Sequence, residues 1–190
     1  MYIIGTLIVI AIVILVTIVG IFNRFAKFRN MVKDAWSNID IALKRRHDLI
    51  PNLVNTVKGY AAHEQETLNK VVAARNAAMS APKDDINAQI KAENQLQQTL
   101  RSLFALSESY PDLKANTNFL DLQQKLSEIE ENLERSRKYY NITVRENNTY
   151  GESFPGVVFA GIFKYRHFDY FEAEAADRKN INVDFKNLAP

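Results

Sequence analysis

The stretch IIGTLIVIAIVILVTIVGIF, residues 3–22, decides the fold of this chain, because it contains no charged residue. A helix of about 20 apolar residues is long enough to cross the hydrocarbon core of a bilayer, which is roughly 30 Å thick. Lipid offers the backbone no hydrogen-bond partner, so such a segment must be helical. The sequence therefore predicts an N-terminal transmembrane anchor over residues 1–22.

A cleavable signal peptide is the alternative interpretation of this run. Signal peptides have a basic start, an apolar stretch of about 7–15 residues and a small-residue cleavage site. No Lys or Arg precedes the run here, and the sequence NRFAK at 23–27 that follows it contains no such site. The pattern therefore favours a permanent anchor.

Basic residues flank the run on its C-terminal side only. Arg24, Lys27, Arg29 and Lys33 follow it, whereas Met1-Tyr2 precedes it. Positive charge beside a span marks the cytoplasmic side of a membrane, so we expect the N-terminus outside and the large domain in the cytoplasm. The absence of cysteine agrees with a reducing compartment and excludes a lipid attached to a cysteine.

Residues 23–151 are predicted to form a bundle of long helices, because glycine and proline are scarce and apolar residues recur every three or four positions. In the first helix, Pro51 is expected to kink the helix or to end it. Arg46 falls on the apolar stripe, either as a polar contact inside the bundle or where the stripe drifts. The stripe consists of Phe25, Phe28, Val32, Ala35, Ile39, Ala42, Leu49 and Leu53.

Three further amphipathic segments follow, joined by short connections. The second helix is expected over residues 63–79, and Asp84 is expected to cap the third. The fourth has a heptad seam that turns polar at Ser136, Thr143 and Asn147. These segments predict an all-α fold, in which the N-terminal transmembrane helix is followed by an antiparallel bundle of about four long helices. The expected inward residues are Leu68, Val71, Val72 and Ala78, then Ile86, Ile90, Leu96, Leu100, Leu103 and Phe104, and finally Phe119, Leu122, Leu126, Ile129, Leu133, Tyr140 and Tyr150.

Residues 152–190 form an aromatic-rich segment followed by a tail. So many aromatic side chains would not stay in water, and one interpretation is that they fold back on the bundle. The other is a docking surface for a partner or for the membrane interface. Residues 180–190 are expected to be a mobile tail. The candidate contact residues are Phe154, Phe159, Phe163, Phe168, Tyr170 and Phe171.

The segment Lys44-Arg45-Arg46 is the longest basic run in the chain. It could touch phosphate groups of lipid or nucleic acid, or form a solvated helix face, since Asp40 and Asp48 flank it. No nucleic-acid-binding module accompanies it, so no nucleic acid partner is expected. Lys44, Arg45 and Arg46 remain candidate contacts for a protein partner.

Motifs for catalysis are incomplete. Without cysteine there is no thiol nucleophile or thiolate metal site. His63-Glu64 begins like the zinc-protease motif H-E-x-x-H, but Thr67 stands where the second histidine would be. Gly156 and Gly161 have the spacing of a phosphate-binding loop, but Ile162 replaces its lysine. We therefore predict no catalytic residue, no metal, no cofactor and no enzymatic activity.

Four longer motifs resemble the LemA family, and the likeness covers nearly the whole chain. They are NMVKDAWSNID at 30–40, LKRRHDLIPNLV at 43–54, VKGYAAHE at 57–64 and YPDLKAN at 110–116. The pieces FP at 154–155 and YFE at 170–172 add to the resemblance.

The resemblance implies a protein of the bacterial cytoplasmic (inner) membrane with a bundle of long antiparallel helices. It also implies an association with membrane zinc metalloproteases of the HtpX type and with envelope stress or membrane-protein quality control. The expected function is a non-enzymatic, membrane-anchored adaptor or scaffold that forms a homo-oligomer. The alternative is a self-assembling structural protein that organises or remodels the membrane.

Overall fold

A computed structural model describes residues 2–82 and 85–171 of the chain. Within these residues every regular element is a helix, which confirms the predicted all-α fold. Asp84 and the expected tail at 180–190 lie outside the described residues. The helices are α1 (Tyr2–Tyr60), α2 (Gln65–Ser80), α3 (Ile86–Ser107), α4 (Pro111–Lys114), α5 (Thr117–Glu152) and α6 (Gly156–Phe159).

Helix α1 joins the apolar run to the bundle without a break. It has 59 residues, which corresponds to about 90 Å at a rise of roughly 1.5 Å per residue. Its apolar N-terminal part is exposed and long enough to cross a membrane. This part is therefore a candidate membrane span, as the sequence predicted, and the same helix carries it directly into the folded domain.

Pro51 does not end α1, because a side chain from α2 compensates for its missing N–H group. In an unbroken helix the amide of residue 51 would donate to the carbonyl of His47, but proline has no amide hydrogen. The Nε of Arg75 donates to that carbonyl instead, at 2.8 Å. The expectation that Pro51 ends the helix is therefore wrong, and α2 is hydrogen-bonded to the point where α1 is weakest.

Helix α5 runs antiparallel to α1 along almost its whole length. Near the candidate span, the rings of Phe25 and Tyr150 pack edge to face with centroids 4.9 Å apart. At the opposite end, the Nδ2 of Asn116 donates to the hydroxyl of Tyr60 at 2.9 Å. The two helices therefore form a long rod, and the other elements pack against it.

Helices α2 and α3 complete the bundle in its half away from the span, and the start of α3 extends further, to Ile86 beside the cluster of Val32, Trp36 and Tyr140. They are shorter than α5, with 16 and 22 residues against 36. The core of this half is apolar, and the hydroxyl of Tyr110 closes its end by donating to Glu64 at 2.9 Å. Its fully buried members are Ile50, Leu53, Val57, Val71, Leu96, Leu103, Leu113 and Phe119.

Most of the predicted inward residues are buried. One inward residue and one helix cap were predicted wrongly. Val72 is 39% exposed, because it follows the fully buried Val71 and adjacent helix positions point about 100° apart. The N-cap of α3 is Asp85 rather than Asp84, since the Asp85 carboxylate accepts the amide of Ala88 at 2.9 Å. The polar seam residues Thr143 and Asn147 are buried and hydrogen-bonded.

The contact between Arg75 and the His47 carbonyl predicts an interaction with Pro51 in a double-mutant cycle. Arg75→Met should lower the free energy of unfolding by about 1–3 kcal/mol, because it leaves a partly buried carbonyl without a donor. In a Pro51→Ala background the new amide can serve that carbonyl, so the same change should cost much less. Thermal unfolding followed by circular dichroism measures both differences.

The control for this cycle is Lys70→Met, which removes an exposed cation from the same helix. Lys70 pairs only with Glu66 one turn away, at the surface, so its loss should change stability by less than about 1 kcal/mol. Equal losses for Arg75→Met in both backgrounds would contradict the compensation of Pro51 by Arg75.

Candidate interaction surface at the membrane end of the bundle

The chain turns back after α5 and covers the α1–α5 rod beside the candidate span. We call residues 153–163, which include α6, the cap, and residues 164–171 the strap. Lys164 separates them with a φ of 50°, in the left-handed region that reverses a chain direction. The strap then runs back along α5, away from the span.

Asparagine side chains of α5 hold the backbone of the strap. Asn148 donates to the carbonyl of Phe168 at 2.8 Å and accepts its amide at 3.1 Å. Asn141 does the same for Phe171, at 2.9 and 2.7 Å. A carboxamide carries one acceptor and one donor group, the pair that an extended residue needs. Positions 141 and 148 lie about two helical turns apart on one face, so α5 binds the strap much as a neighbouring strand would.

The strap also completes the core nearer the span, where it meets Ile86 and Ile90 at the start of α3. Phe171 is buried, with its ring centroid 6.5 Å from that of Trp36, and the guanidinium of Arg137 lies 4.6 Å from its ring. The hydroxyl of Tyr140 donates to the carbonyl of Asp169 at 3.0 Å. Burial raises the pKa of Tyr140 to about 12, and the Asp169 carboxylate adds to this rise. The strap therefore shares this core with α1, α5 and the start of α3.

The cap packs on α1 where the apolar run ends. The ring of Phe163 lies 5.3 Å from that of Phe22 and 6.0 Å from that of Phe25. Phe159 stacks on Phe163, with centroids 5.8 Å apart. The outer side of the cap remains apolar and exposed, with Phe154 84% accessible.

The predicted aromatic contact residues therefore divide into three groups. Phe171 is buried and Phe168 half-buried, so they belong to the core. Phe159 and Phe163 are half-buried between the cap and α1. Phe154 and Tyr170 are exposed, at opposite ends of the segment. The sequence left core and docking surface as alternatives for the whole segment; the structure places part of the segment in the core and leaves Phe154 and Tyr170 exposed.

The basic run on α1 is not one surface, because consecutive helix residues point in different directions. Lys44 is exposed and donates to Asp48 at 2.8 Å, and Arg45 is exposed as well. Arg46 is only 4% exposed and faces two carboxylates, Glu93 at 3.6 Å and Glu130 at 3.4 Å. Arg46 is therefore a polar contact inside the bundle, and only Lys44 and Arg45 remain available to a partner.

The buried cluster around Arg46 was not predicted from the sequence. Glu93 also lies 2.7 Å from the Nε2 of His47, and Glu130 accepts a hydrogen bond from Gln97 at 3.0 Å. These residues come from three different helices, so no spacing along the chain links them. The only available signal was the position of Arg46 on an apolar stripe.

The weak motifs in the sequence have structural explanations. Gly156 fits closely against the carbonyl of Tyr150, so a side chain at this position would collide with backbone. Gly161 has open space around it, so packing requires a glycine at 156 and not at 161. Across residues 2–82 and 85–171, no three His, Asp or Glu side chains come together in a way that could hold a metal ion.

A candidate span that continues as one helix into an antiparallel helical bundle defines a class of single-span, membrane-associated bundle proteins. The chain belongs to the LemA family, whose model matches residues 35–185. It is similar to Protein LemA of Metamycoplasma hominis, with 27% identity over 131 residues, which is 69% of this chain. The aligned part covers 59% of that relative's length.

The close fit of Gly156 predicts a large effect of the smallest possible side chain. Gly156→Ala should destabilise the cap by about 1–3 kcal/mol, because the new methyl group overlaps a backbone carbonyl that cannot move cheaply. Hydrogen exchange of residues 153–171 should speed up, and the melting temperature should fall. Gly161→Ala is the matched control in the same cap, since it points into open space. Indistinguishable exchange in the two variants would show that the cap tolerates a side chain at 156.

Proposed function

We propose that this protein is a non-enzymatic, membrane-anchored adaptor or scaffold. The observation that carries the proposal is the continuity of α1 from the candidate span to the end of the bundle. From Phe22 to Lys44 the helix advances about 33 Å at roughly 1.5 Å per residue. The rod holds the exposed part of the bundle at a fixed distance from the membrane, which raises its effective concentration for other membrane proteins.

The contact surface that we assign to this adaptor includes Lys44 and Arg45. Both are exposed on α1, on the outside of the half where α2 and α3 complete the bundle. The proposed partner is a membrane zinc metalloprotease of the HtpX type, in envelope stress or membrane-protein quality control. Family membership supports this partner because the resemblance to the LemA family implies it, and we propose that the adaptor is itself a homo-oligomer.

A second candidate function is a self-assembling protein that organises or remodels the membrane. The observation in its favour is the pair Tyr139 and Ile142, which are 45% and 44% exposed on the outer side of α5. They are three positions apart and therefore adjacent on the helix surface. Such a patch on a long rod suits side-by-side association of copies.

We propose that the domain faces the cytoplasm of a bacterial inner membrane and that the N-terminus is outside. The basic residues Arg24, Lys27, Arg29 and Lys33 after the span are all exposed, which supports this orientation. Because the chain has no cysteine, single cysteines report topology without background.

In intact cells, an impermeant maleimide should label a Tyr2→Cys variant and should not label Ile41→Cys until the membrane is permeabilised. Both positions are exposed in the folded protein, so access depends only on the side of the membrane. Labelling of Ile41→Cys in intact cells would reverse the proposed orientation.

Photo-crosslinking from two positions separates the adaptor from the self-assembling protein. A photoreactive residue at Arg45 should form an adduct with a second membrane protein, whereas one at Ile142 should form adducts with this chain. Lys44→Gln combined with Arg45→Gln should reduce the first adduct several-fold, because it removes the exposed charges. Arg135→Gln combined with Lys138→Gln is the control, since both residues are equally exposed on α5.

Adducts that contain only this chain at both positions would exclude the adaptor and favour self-assembly. A heterologous adduct that survives the loss of Lys44 and Arg45 would place the contact surface elsewhere on the bundle.

A further inference from the structure

Four apolar side chains of the cap are exposed and contact little of the described chain. Phe154 is 84% exposed and Ile162 72%, and Val157 and Val158 lie between them at 52% and 60%. They belong to a segment of nine residues, from 154 to 162. An exposed apolar patch of this kind marks a contact site rather than a surface that stays in water.

The position of the cap on α1 fixes its depth relative to the membrane. The apolar run fills residues 3–22, and its length of about 30 Å matches the thickness of the hydrocarbon core. Phe22 therefore lies at the boundary of that core. The Phe163 ring packs on Phe22 at 5.3 Å, and Gly156 lies against Phe25, within one helical turn of Phe22. The cap is thus held at the level of the lipid headgroups.

Cations surround the cap on the side away from the span. Arg24, Lys164 and Arg166 are all exposed, and the guanidinium of Arg24 lies 5.1 Å from the ring of Tyr150. Segments that lie in a membrane interface combine apolar residues on the lipid side with basic residues at the headgroups. Aromatic residues are enriched at the same level. The cap carries exposed apolar side chains at the level of Phe22, and basic residues lie beside it, as in a segment that lies in a membrane interface.

We propose that the cap, residues 153–163, inserts its apolar side into the headgroup boundary of the leaflet that α1 leaves. The occupant of the patch is therefore the bilayer itself, continuous with the surface of the candidate span. Inserted there, Phe154, Val157, Val158 and Ile162 bury apolar surface that they expose in water. The bundle then contacts the membrane at two points, α1 and the cap.

The strap links this second contact to the bundle. Asn141 and Asn148 bind its backbone on α5, and Tyr165 packs against Gly151 near the end of that helix. The cap is therefore joined to both helices of the rod, directly to α1 through Phe163 and to α5 through the strap. A rod held in this way cannot turn freely about the axis of the span.

The test measures the depth of single labels in the full chain, reconstituted into vesicles of phosphatidylethanolamine and phosphatidylglycerol. An environment-sensitive fluorophore is attached at Phe154→Cys, Val157→Cys or Ile162→Cys, and the absence of native cysteine makes each label unique. Ile41→Cys is the aqueous reference and Leu15→Cys is the lipid reference, and both positions are about half exposed in the structure. Circular dichroism checks that each labelled chain keeps its helix content.

We expect lipids with a nitroxide near the headgroup to quench the three cap labels, as they quench a label in an interface. Iodide in the water should quench them several-fold less than it quenches the label at Ile41. Iodide quenching equal to that at Ile41 would overturn the proposal, because the patch would then be in water. Three positions are used so that one variant that fails to fold does not decide the result.

A protein occupant gives a different pattern. If a second copy or another part of the chain covered the patch, the cap labels would be shielded from iodide and from the nitroxide lipid alike. Shielding of this kind that disappears when the protein is diluted in the vesicles would assign the patch to a second copy. Shielding that persists would assign it to another part of the chain, and either result would overturn insertion into lipid.

Discussion

The fold depends on the continuity of α1 through Pro51. This residue removes one hydrogen bond from the middle of the bundled section, and Arg75 supplies the replacement from α2. Because α1 stays in one piece, the candidate span and the bundle share a single axis. Every other element is positioned along that axis, and a contact between α1 and α2 serves the position where proline removes a backbone hydrogen bond.

The unequal lengths of the helices explain the unusual C-terminal segment. Helix α5 has 36 residues and follows α1 down to the candidate span, whereas α2 and α3 stop well short of it. Trp36 and Tyr140 lie on this part of the rod, where the start of α3 packs against the same cluster through Ile86. The strap covers them with an extended chain, and Asn141 and Asn148 of α5 bind its backbone. The cap is the turn that connects the end of α5 to the strap, which runs back along α5.

The sequence predicted the features that depend on periodicity within one segment. The span was visible in residues 3–22, and the seam residues Leu122, Leu126 and Leu133 are buried as their spacing indicated. It could not predict contacts that depend on register between segments. Glu93 becomes a partner of Arg46 only when α3 lies beside α1 at one height. The prediction that Val72 is buried was wrong for a simpler reason. Its neighbour Val71 already faces the core, and the next residue along a helix points about 100° away, however hydrophobic it is.

The way in which α5 binds the strap leaves the side chains of Asp169 and Tyr170 free to vary, while Phe168 and Phe171 pack in the core. Both asparagines bind main-chain groups, which every residue except proline provides. Between the two anchored positions, Asp169 and Tyr170 point outward. Substitutions at these two positions can therefore change the surface of the strap without changing the position of its backbone. Two proteins with the same scaffold could show different chemistry at this place, and a change of specificity would need no change of fold.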